Sequence, residues 1–144
     1  MKVKQLAQCP APCVGANATV FEAVKVMEAA NVGAAAVMSG KKLVGVISER
    51  DVMLRVVAKG RDPSATKVRS VMTKSVKTVE AESASDEALA VMVANHIRHV
   101  IVVNENGAVV GLASARHVYK AQVDTLDDTV RTLASFVGAD NHGG

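Results

Sequence analysis

The segment from Gly45 to Asp51 holds the side chains best suited to chemistry in this chain. It reads Gly-Val-Ile-Ser-Glu-Arg-Asp, so an apolar stretch typical of a strand runs into a hydroxyl, a base and a carboxylate. A helix that begins at Ser48 would offer free backbone N–H groups and a partial positive charge to an anion. Asp51 can accept both hydroxyl protons of a ribose, and Arg50 can donate a fork to a phosphate. The pattern indicates a nucleotide site, although a plain capped helix start explains the same residues.

The elements that must position these side chains come from an internal repeat. An offset of 65 positions aligns identical residues: Val3 with Val68, Val14 with Val79, Glu22 with Glu87 and Met27 with Met92. One extra residue near Asn106-Gly107 then changes the offset to 66 and places Ser48 on Ser114. Because the match needs a single gap, placed at a turn, we expect one supersecondary unit written twice.

Each copy predicts the element order β-α-β-β-α. A first strand is expected around Cys13-Val14 and at Val76–Val79, and capping boxes at Thr19–Glu22 and Ser83–Asp86 predict the helix that follows. Two hairpins are predicted next: Ala34–Met38 with Leu43–Ser48, and Val100–Val103 with Val109–Ser114. The second helix opens at Ser48 or Ser114. The predicted fold class is α+β, with α and β elements mixed, and neither copy alone is large enough to bury a good core.

The repeat divides the chain into five predicted segments. They are a first copy (1–60), a linker (61–67), a second copy (68–123), a C-terminal helix (124–138) and a loose tail (139–144). Leu126, Val130, Leu133 and Val137 share one stripe of the C-terminal helix, which Gly138 is expected to close.

Composition narrows the function classes. Hydrophobic residues make up 49% of the chain and aromatic residues only 2%, so we expect an aliphatic core. The net charge of +3 suits an anionic small ligand, while scattered cations and few aromatics argue against nucleic acid. Cys9 and Cys13 do not complete a metal site. No signal peptide or membrane span is visible, so a cytoplasmic protein is the default expectation.

Three segments together resemble the CBS-domain family, named after cystathionine β-synthase. Gly45–Asp51 is similar to its Gly-apolar-apolar-Ser/Thr-x-x-Asp signature, and Val71–Val79 and Ile97–Val103 are similar to further family motifs. Val100-Ile101 replaces the family's Leu-Pro in the last of these. The resemblance covers residues 3 to 122. It implies two repeats packed with pseudo-twofold symmetry, a Bateman module, with adenosine-containing ligands bound in clefts between the copies.

The resemblance also implies one cleft to which both copies contribute. Ser48 and Asp51 would hold the ribose, while Arg98 and His99 would contact phosphate. The full expected ligand-binding set is Ser48, Arg50, Asp51, Thr73, Val76, Lys77, Ile97, Arg98 and His99. A solvated strand edge remains the alternative for Arg98 and His99.

The other cleft departs from the family pattern. Its ribose motif contains Ser114, Arg116 and His117, so a histidine stands where the first copy has Asp51. A neutral histidine accepts one hydrogen bond, whereas a carboxylate offers about four lone-pair sites. Gly33-Ala34 also replaces the basic pair of the facing hairpin. We therefore predict one strong site and one that is weak, empty or used differently.

The expected function is a regulatory module that binds an adenine nucleotide, AMP first, and signals to a separate protein. NAD(H), ATP or S-adenosylmethionine are alternative ligands, ADP belongs to the same class, and no cofactor is expected. An enzyme would need more than an Asp51–His99 pair, which ribose binding explains more simply. A nucleic-acid-binding CBS protein is the alternative of another class. A homodimer is expected, with the stripe on the C-terminal helix as an extra contact.

Overall fold

Two three-stranded sheets with the same topology form the centre of the molecule. The computed structural model describes residues 1–142, with side chains as far as Gly138. The first sheet has the order β1 (Cys13–Gly15), β2 (Ala34–Ser39), β3 (Lys42–Ser48). The second has the order β4 (Thr78–Glu80), β5 (His99–Val103), β6 (Val109–Ser114). In each sheet the first pair of strands is parallel and the second antiparallel, so the predicted repeat is confirmed.

The helices follow the predicted order, with one addition to each copy. They are α1 (Val3–Leu6), α2 (Val20–Ala30), α3 (Glu49–Val52), α4 (Ser85–Ala94) and α5 (Ala115–His142). A π-helical turn, Met53–Val57, continues α3. A 3₁₀ turn, Val68–Ser70, precedes the second copy as α1 precedes the first. No helix in the part of the chain described is long and apolar enough to cross a membrane.

A core of small and branched side chains joins the two sheets. Ala34 and Ala36 of β2 are fully buried in one cluster with Ile101 of β5 and Leu112 of β6. Alanine side chains allow the backbones to approach closely, while the larger residues of the second copy fill the space between the sheets. The two copies therefore share an apolar core, as expected for units too small to fold alone.

The segment that opens each copy packs on the other copy. Val3 is fully buried with Val100 and Val118 of the second copy, and Val68 is buried with Ile47 of the first. Backbone bridges extend both sheets, from Gln8 to Leu112 and from Thr73 to Val46. Each opening segment therefore belongs to one copy by sequence alignment but packs in the core of the other copy.

The predicted helix starts are correct at three positions and wrong at a fourth. The hydroxyls of Thr19, Ser48 and Ser114 each accept a hydrogen bond from the third helical N–H. At the fourth position α4 begins at Ser85, with Ala84 as an N-cap that gives no side-chain hydrogen bond. The opening segment explains the difference, because the N–H of Val3 donates to the carbonyl of Ser83.

The C-terminal helix differs from its predicted extent. Instead of a separate helix over 124–138, α5 runs without a break from Ala115 to His142. Gly138 does not close it, and the predicted tail is helical as far as His142, while residues 143–144 lie outside the described residues. Glycine lowers helix propensity by about 1 kcal/mol but terminates a helix only when a left-handed conformation or a cap follows.

Candidate ligand site

The end of β3 and the start of α3 hold Ser48 and Asp51 together. The Ser48 N–H donates to Asp51 Oδ2 over 3.0 Å, and the Ser48 hydroxyl donates to the same oxygen over 3.1 Å. In return, the Asp51 N–H donates to Ser48 Oγ over 3.3 Å. This reciprocal box fixes the carboxylate at the first turn of the helix, where the helix dipole favours negative charge.

A second hydroxyl reaches the Asp51 carboxylate from the opening segment of the second copy. Thr73 pairs with Val46 on β3 through two backbone hydrogen bonds of 2.8 and 2.9 Å. This pairing places Thr73 Oγ1 3.1 Å from Asp51 Oδ1. The carboxylate, only 7% exposed, thus accepts hydrogen bonds from two different hydroxyl groups. A vicinal diol offers the same pair of donors.

Gly45 is required by the close crossing of this chain segment over β3. A Cβ atom at Gly45 would lie 2.6 Å from Met72 Sδ and 3.0 Å from the Thr73 carbonyl oxygen. The equivalent Gly111 meets Cys9 Sγ at 2.7 Å and the Gln8 carbonyl oxygen at 3.0 Å. The glycine of the motif therefore serves packing between the copies rather than a turn.

Arg55 completes the cluster and was missed from the sequence. Its Nη1 donates to the carbonyl oxygens of Val71 and Met72, both over 3.0 Å, and its Nε lies 3.8 Å from Asp51 Oδ1. The residue thus attaches the segment before Thr73 to the helix that carries Asp51. The available signal was the acid–base spacing of four residues on a helix.

Arg98 and His99 lie in a groove of about 700 Å³ between the copies. Its first-copy wall includes Gly33 and Glu49, and its lining does not include Ser48 or Asp51. The full lining is Val24, Met27, Glu28, Asn31, Val32, Gly33, Glu49, Val52, Met53, Val57, Arg98, His99, Ser114, Ala115 and Arg116. Glu49, which lines this groove, is the neighbour of Ser48 in the chain.

The charges of this groove are mixed. His99 is half-buried and faces Ser114 across the β5–β6 ladder. Burial lowers the pKa of His99 most, Glu49 opposes that effect, and the positive charges of Arg98 and Arg116 add to it. His99 consequently favours its neutral form, so the cations of the groove are the two arginines. An anion here would meet two guanidinium groups and the carboxylates of Glu28 and Glu49.

The remaining predicted residues lie apart from one another, some exposed and some half-buried. Arg50 is exposed and lines neither this groove nor the one between α4 and α5, in which half-buried Ile97 lies. Val76 is half-buried against the core between the sheets. Lys77 is exposed and uses its carbonyl to accept from the Ile101 N–H over 3.2 Å. Their joint action on one ligand stays a prediction.

In the second copy, a ring nitrogen of His117 takes the place of the Asp51 carboxylate in the reciprocal hydrogen bonds at the helix start. The Ser114 N–H donates to His117 Nδ1 over 3.2 Å, and the His117 N–H donates to Ser114 Oγ over 3.1 Å. Nδ1 must therefore be unprotonated. Burial lowers the pKa of His117, and the positive charges of Arg116 and Lys120 lower it further.

The hydroxyl that completes the Asp51 cluster has no counterpart beside His117. Gln8 occupies the position equivalent to Thr73, and its side-chain amide donates to the Ala30 carbonyl over 3.2 Å. His117 Nδ1 is engaged by the backbone of Ser114. The two helix starts therefore share a geometry and differ in the number of acceptor sites that they can offer.

Comparison with known proteins settles the family. The family model of the CBS domain matches residues 3–58 and 68–124. The chain belongs to the CBS-domain family. A mitochondrial CBS domain-containing protein of Arabidopsis thaliana is 34% identical over 124 residues, which cover 83% of this chain and 60% of that protein.

Two solved CBS structures with similar folds contain bound adenosine-containing ligands. A CBS domain protein from Pyrobaculum aerophilum, complexed with AMP, is 31% identical with a TM-score of 0.74 over 81% of this chain and 89% of that chain. A CBS pair in complex with 5′-methylthioadenosine and S-adenosyl-L-methionine is 22% identical, with a TM-score of 0.78 over 87% and 98% of the two chains. The second likeness concerns the fold alone.

Proposed function

We propose that this CBS pair is a regulatory module that binds an adenine nucleotide, with AMP as the leading ligand. The observation that carries the proposal is the buried Asp51 carboxylate, which accepts hydrogen bonds from the hydroxyls of Ser48 and Thr73. A ribose diol presents the same donors and can replace or join them, because a carboxylate has about four acceptor positions. The AMP complex of the Pyrobaculum relative supports the choice of ligand class.

The phosphate of such a ligand would extend towards the groove of Arg98 and Arg116. Glu49, which follows Ser48 in the chain, lies on the wall of the groove that Arg98 and Arg116 also line. Arginine forks suit phosphate oxygens. The Glu49 carboxylate in the same groove disfavours additional negative charge, which favours a monophosphate over a triphosphate.

We propose regulation rather than catalysis as the output. Ribose binding uses Asp51 as an acceptor and needs no proton transfer. A change in the contacts between the copies would then be transmitted to a separate regulated protein, and the ligand would be recovered unchanged.

A thermal-shift panel on the wild type and Asp51→Asn tests this proposal. AMP, ADP, ATP, NADH and S-adenosylmethionine are each added at one common concentration, set at a hundredfold excess over the Kd for AMP. Binding to the folded state alone then adds about 2.7 kcal/mol, which corresponds to a rise of about 5–10 °C in Tm for a chain of this size. We expect AMP to give the largest shift and Asp51→Asn to lose most of it.

Asp86→Asn is the matched control, because Asp86 is exposed in the first turn of α4 and the same charge is removed. We expect this variant to keep the full AMP shift. The site assignment would be wrong if no ligand shifted Tm, or if Asp51→Asn and Asp86→Asn behaved alike. A larger shift with NADH, ATP or S-adenosylmethionine would change the ligand and keep the site.

A further inference from the structure

The exposed part of α5 carries an apolar seam with coiled-coil spacing. Its members, separated alternately by four and three residues, are Tyr119, Val123, Leu126, Val130, Leu133 and Val137. At 1.5 Å per residue the seam is about 27 Å long. Every residue from Gln122 to Val137 is exposed, and none of the residues described packs over the seam. A helix of this kind is marginally stable in water by itself, so we expect another surface to pack against the seam and stabilise it.

The residue types on the seam specify what that partner is. In a heptad register, the a positions are all valine (Val123, Val130 and Val137) and two d positions are leucine (Leu126 and Leu133). β-Branched residues at a with leucine at d favour two strands in a parallel coiled coil. Since one such helix is complementary to another of the same sequence, a second copy of this chain fits best.

The flanking charges favour a parallel orientation. Asp127 occupies an e position, and Gln122 and Thr129 occupy g positions. In a parallel pair, Gln122 of one copy lies beside Asp127 of the other, and no like charges meet. In a fully overlapped antiparallel pair, the Asp127 carboxylates of the two copies would face each other across the seam, which is unfavourable.

The seam is continuous with a groove on the body of the molecule. Tyr119 and Val123 also line the groove between α4 and α5, whose volume is about 870 Å³. That groove shares Arg98 and Arg116 with the groove between the copies. A parallel pair would bring the two bodies side by side at one end of the coil. Contact there would supplement three heptads, which bury little surface by themselves.

We propose that α5 pairs with α5 of a second copy as a parallel two-stranded coiled coil, closing a twofold dimer. The test measures the mass of the chain in solution by sedimentation or light scattering. The seam variant is Leu126→Glu/Leu133→Glu. Its matched control is Thr125→Glu/Thr132→Glu, which adds the same charge one residue earlier, at c positions facing away from the seam. We expect wild type and control to be dimers and the seam variant to dissociate with a Kd at least tenfold higher.

Disulfide formation reports the orientation. The substitution Val137→Cys is introduced into a chain in which Cys9→Ser and Cys13→Ser remove the native thiols. A parallel pair brings the two introduced thiols together, so we expect a cross-linked dimer under mild oxidation. In an antiparallel pair each thiol would lie beside Tyr119 of the second copy, about 27 Å from its equivalent, and no cross-link would form.

Four results would overturn the proposal. These are a monomeric wild type at tens of micromolar, a dimer that survives the seam variant, an equal loss in the control, or no cross-link at position 137 in a chain that remains dimeric. A monomeric wild type whose α5 gains protection only with lipid vesicles or another protein would assign the seam to that occupant instead. An unchanged unfolding midpoint of the body in the seam variant shows that dissociation is not unfolding.

Discussion

At the residue scale, the exchange of a carboxylate for an imidazole separates the two helix starts of this CBS pair. Asp51 and His117 both accept a hydrogen bond from the backbone of the serine three residues earlier. Asp51 has further acceptor positions and the Thr73 hydroxyl beside it, whereas His117 Nδ1 is fully used. The hydrogen bond at the helix start survives the exchange, while the free acceptor positions that a diol needs are lost. We therefore propose that the ligand binds mainly on the Asp51 side.

Two half-buried histidines of the second copy, His99 and His117, make stability depend on pH. The pKa values of His99 and His117 are lowered from 6.5 in the folded protein, mainly by burial. Between the lowered values and 6.5 the unfolded chain binds more protons, so the free energy of unfolding decreases as the pH falls below 6.5. Protonation of Nδ1 would also break the hydrogen bond from the Ser114 N–H.

We expect the urea midpoint of the wild type to decrease between pH 7.5 and pH 5.5. The decrease should be smaller in His117→Asn, whose side chain keeps an acceptor at the helix start but does not titrate, and smallest in His99→Gln/His117→Asn. A midpoint that does not change over this range, or a double variant that retains the full decrease, would contradict this interpretation.

At the scale of elements, the crossing segments decide how the site is built. Residues around Thr73 lie across β3 and deliver a hydroxyl to Asp51, and Gly45 leaves the space for this crossing. The site is therefore assembled from a strand end, a helix start and a connecting segment. Any change that lifts this segment from β3 should affect both stability and ligand binding.

We expect Gly45→Ala to destabilise the protein by about 1–3 kcal/mol, the usual cost of overpacking a core. The added methyl group would meet the Thr73 carbonyl at 3.0 Å, and backbone cannot turn aside as the Met72 side chain can. Gly15→Ala is the control, since its added atom has no neighbour within 4 Å. Urea unfolding measures both, and equal midpoints for the two variants would show that the crossing is not tight.

Elements that depend on interactions between neighbouring residues were predictable from the sequence, and those that depend on distant segments were not. Both hairpins and the caps at Thr19 and Ser48 depend on neighbouring residues, and the sequence pattern found them. The cap predicted at Ser83 failed because the distant Val3 N–H donates to the Ser83 carbonyl, which is then not the first acceptor of the helix. The role of Arg55 was likewise missed, because its partners Val71 and Met72 approach only after the crossing.

The extent of α5 was likewise only partly predictable from the sequence. Its stripe was recognised as far as Val137, but the helix starts earlier and passes Gly138. For the candidate site, the sequence identified Ser48, Asp51 and Thr73, which the structure brings into contact. It did not anticipate that Arg98 and His99 lie beside Ser114 and Arg116 of their own copy, which follows from the β5–β6 register.

At the scale of the whole molecule, the duplication is nearly symmetric in fold and asymmetric in chemistry. Each copy receives the opening segment of the other, so the two sheets, their shared core and the segments that cross between them form one unit. A ligand held at the Asp51 cluster would contact both copies at once through Ser48 and Thr73. This arrangement can couple binding to the relative position of the copies, which is what a regulatory module requires.

The stoichiometry of AMP binding tests the central claim most directly. Isothermal titration of the chain should give one site per chain, lost in Asp51→Asn and retained in His117→Asn. Two equivalent tight sites per chain, or a single site that disappears in His117→Asn and survives in Asp51→Asn, would contradict the account.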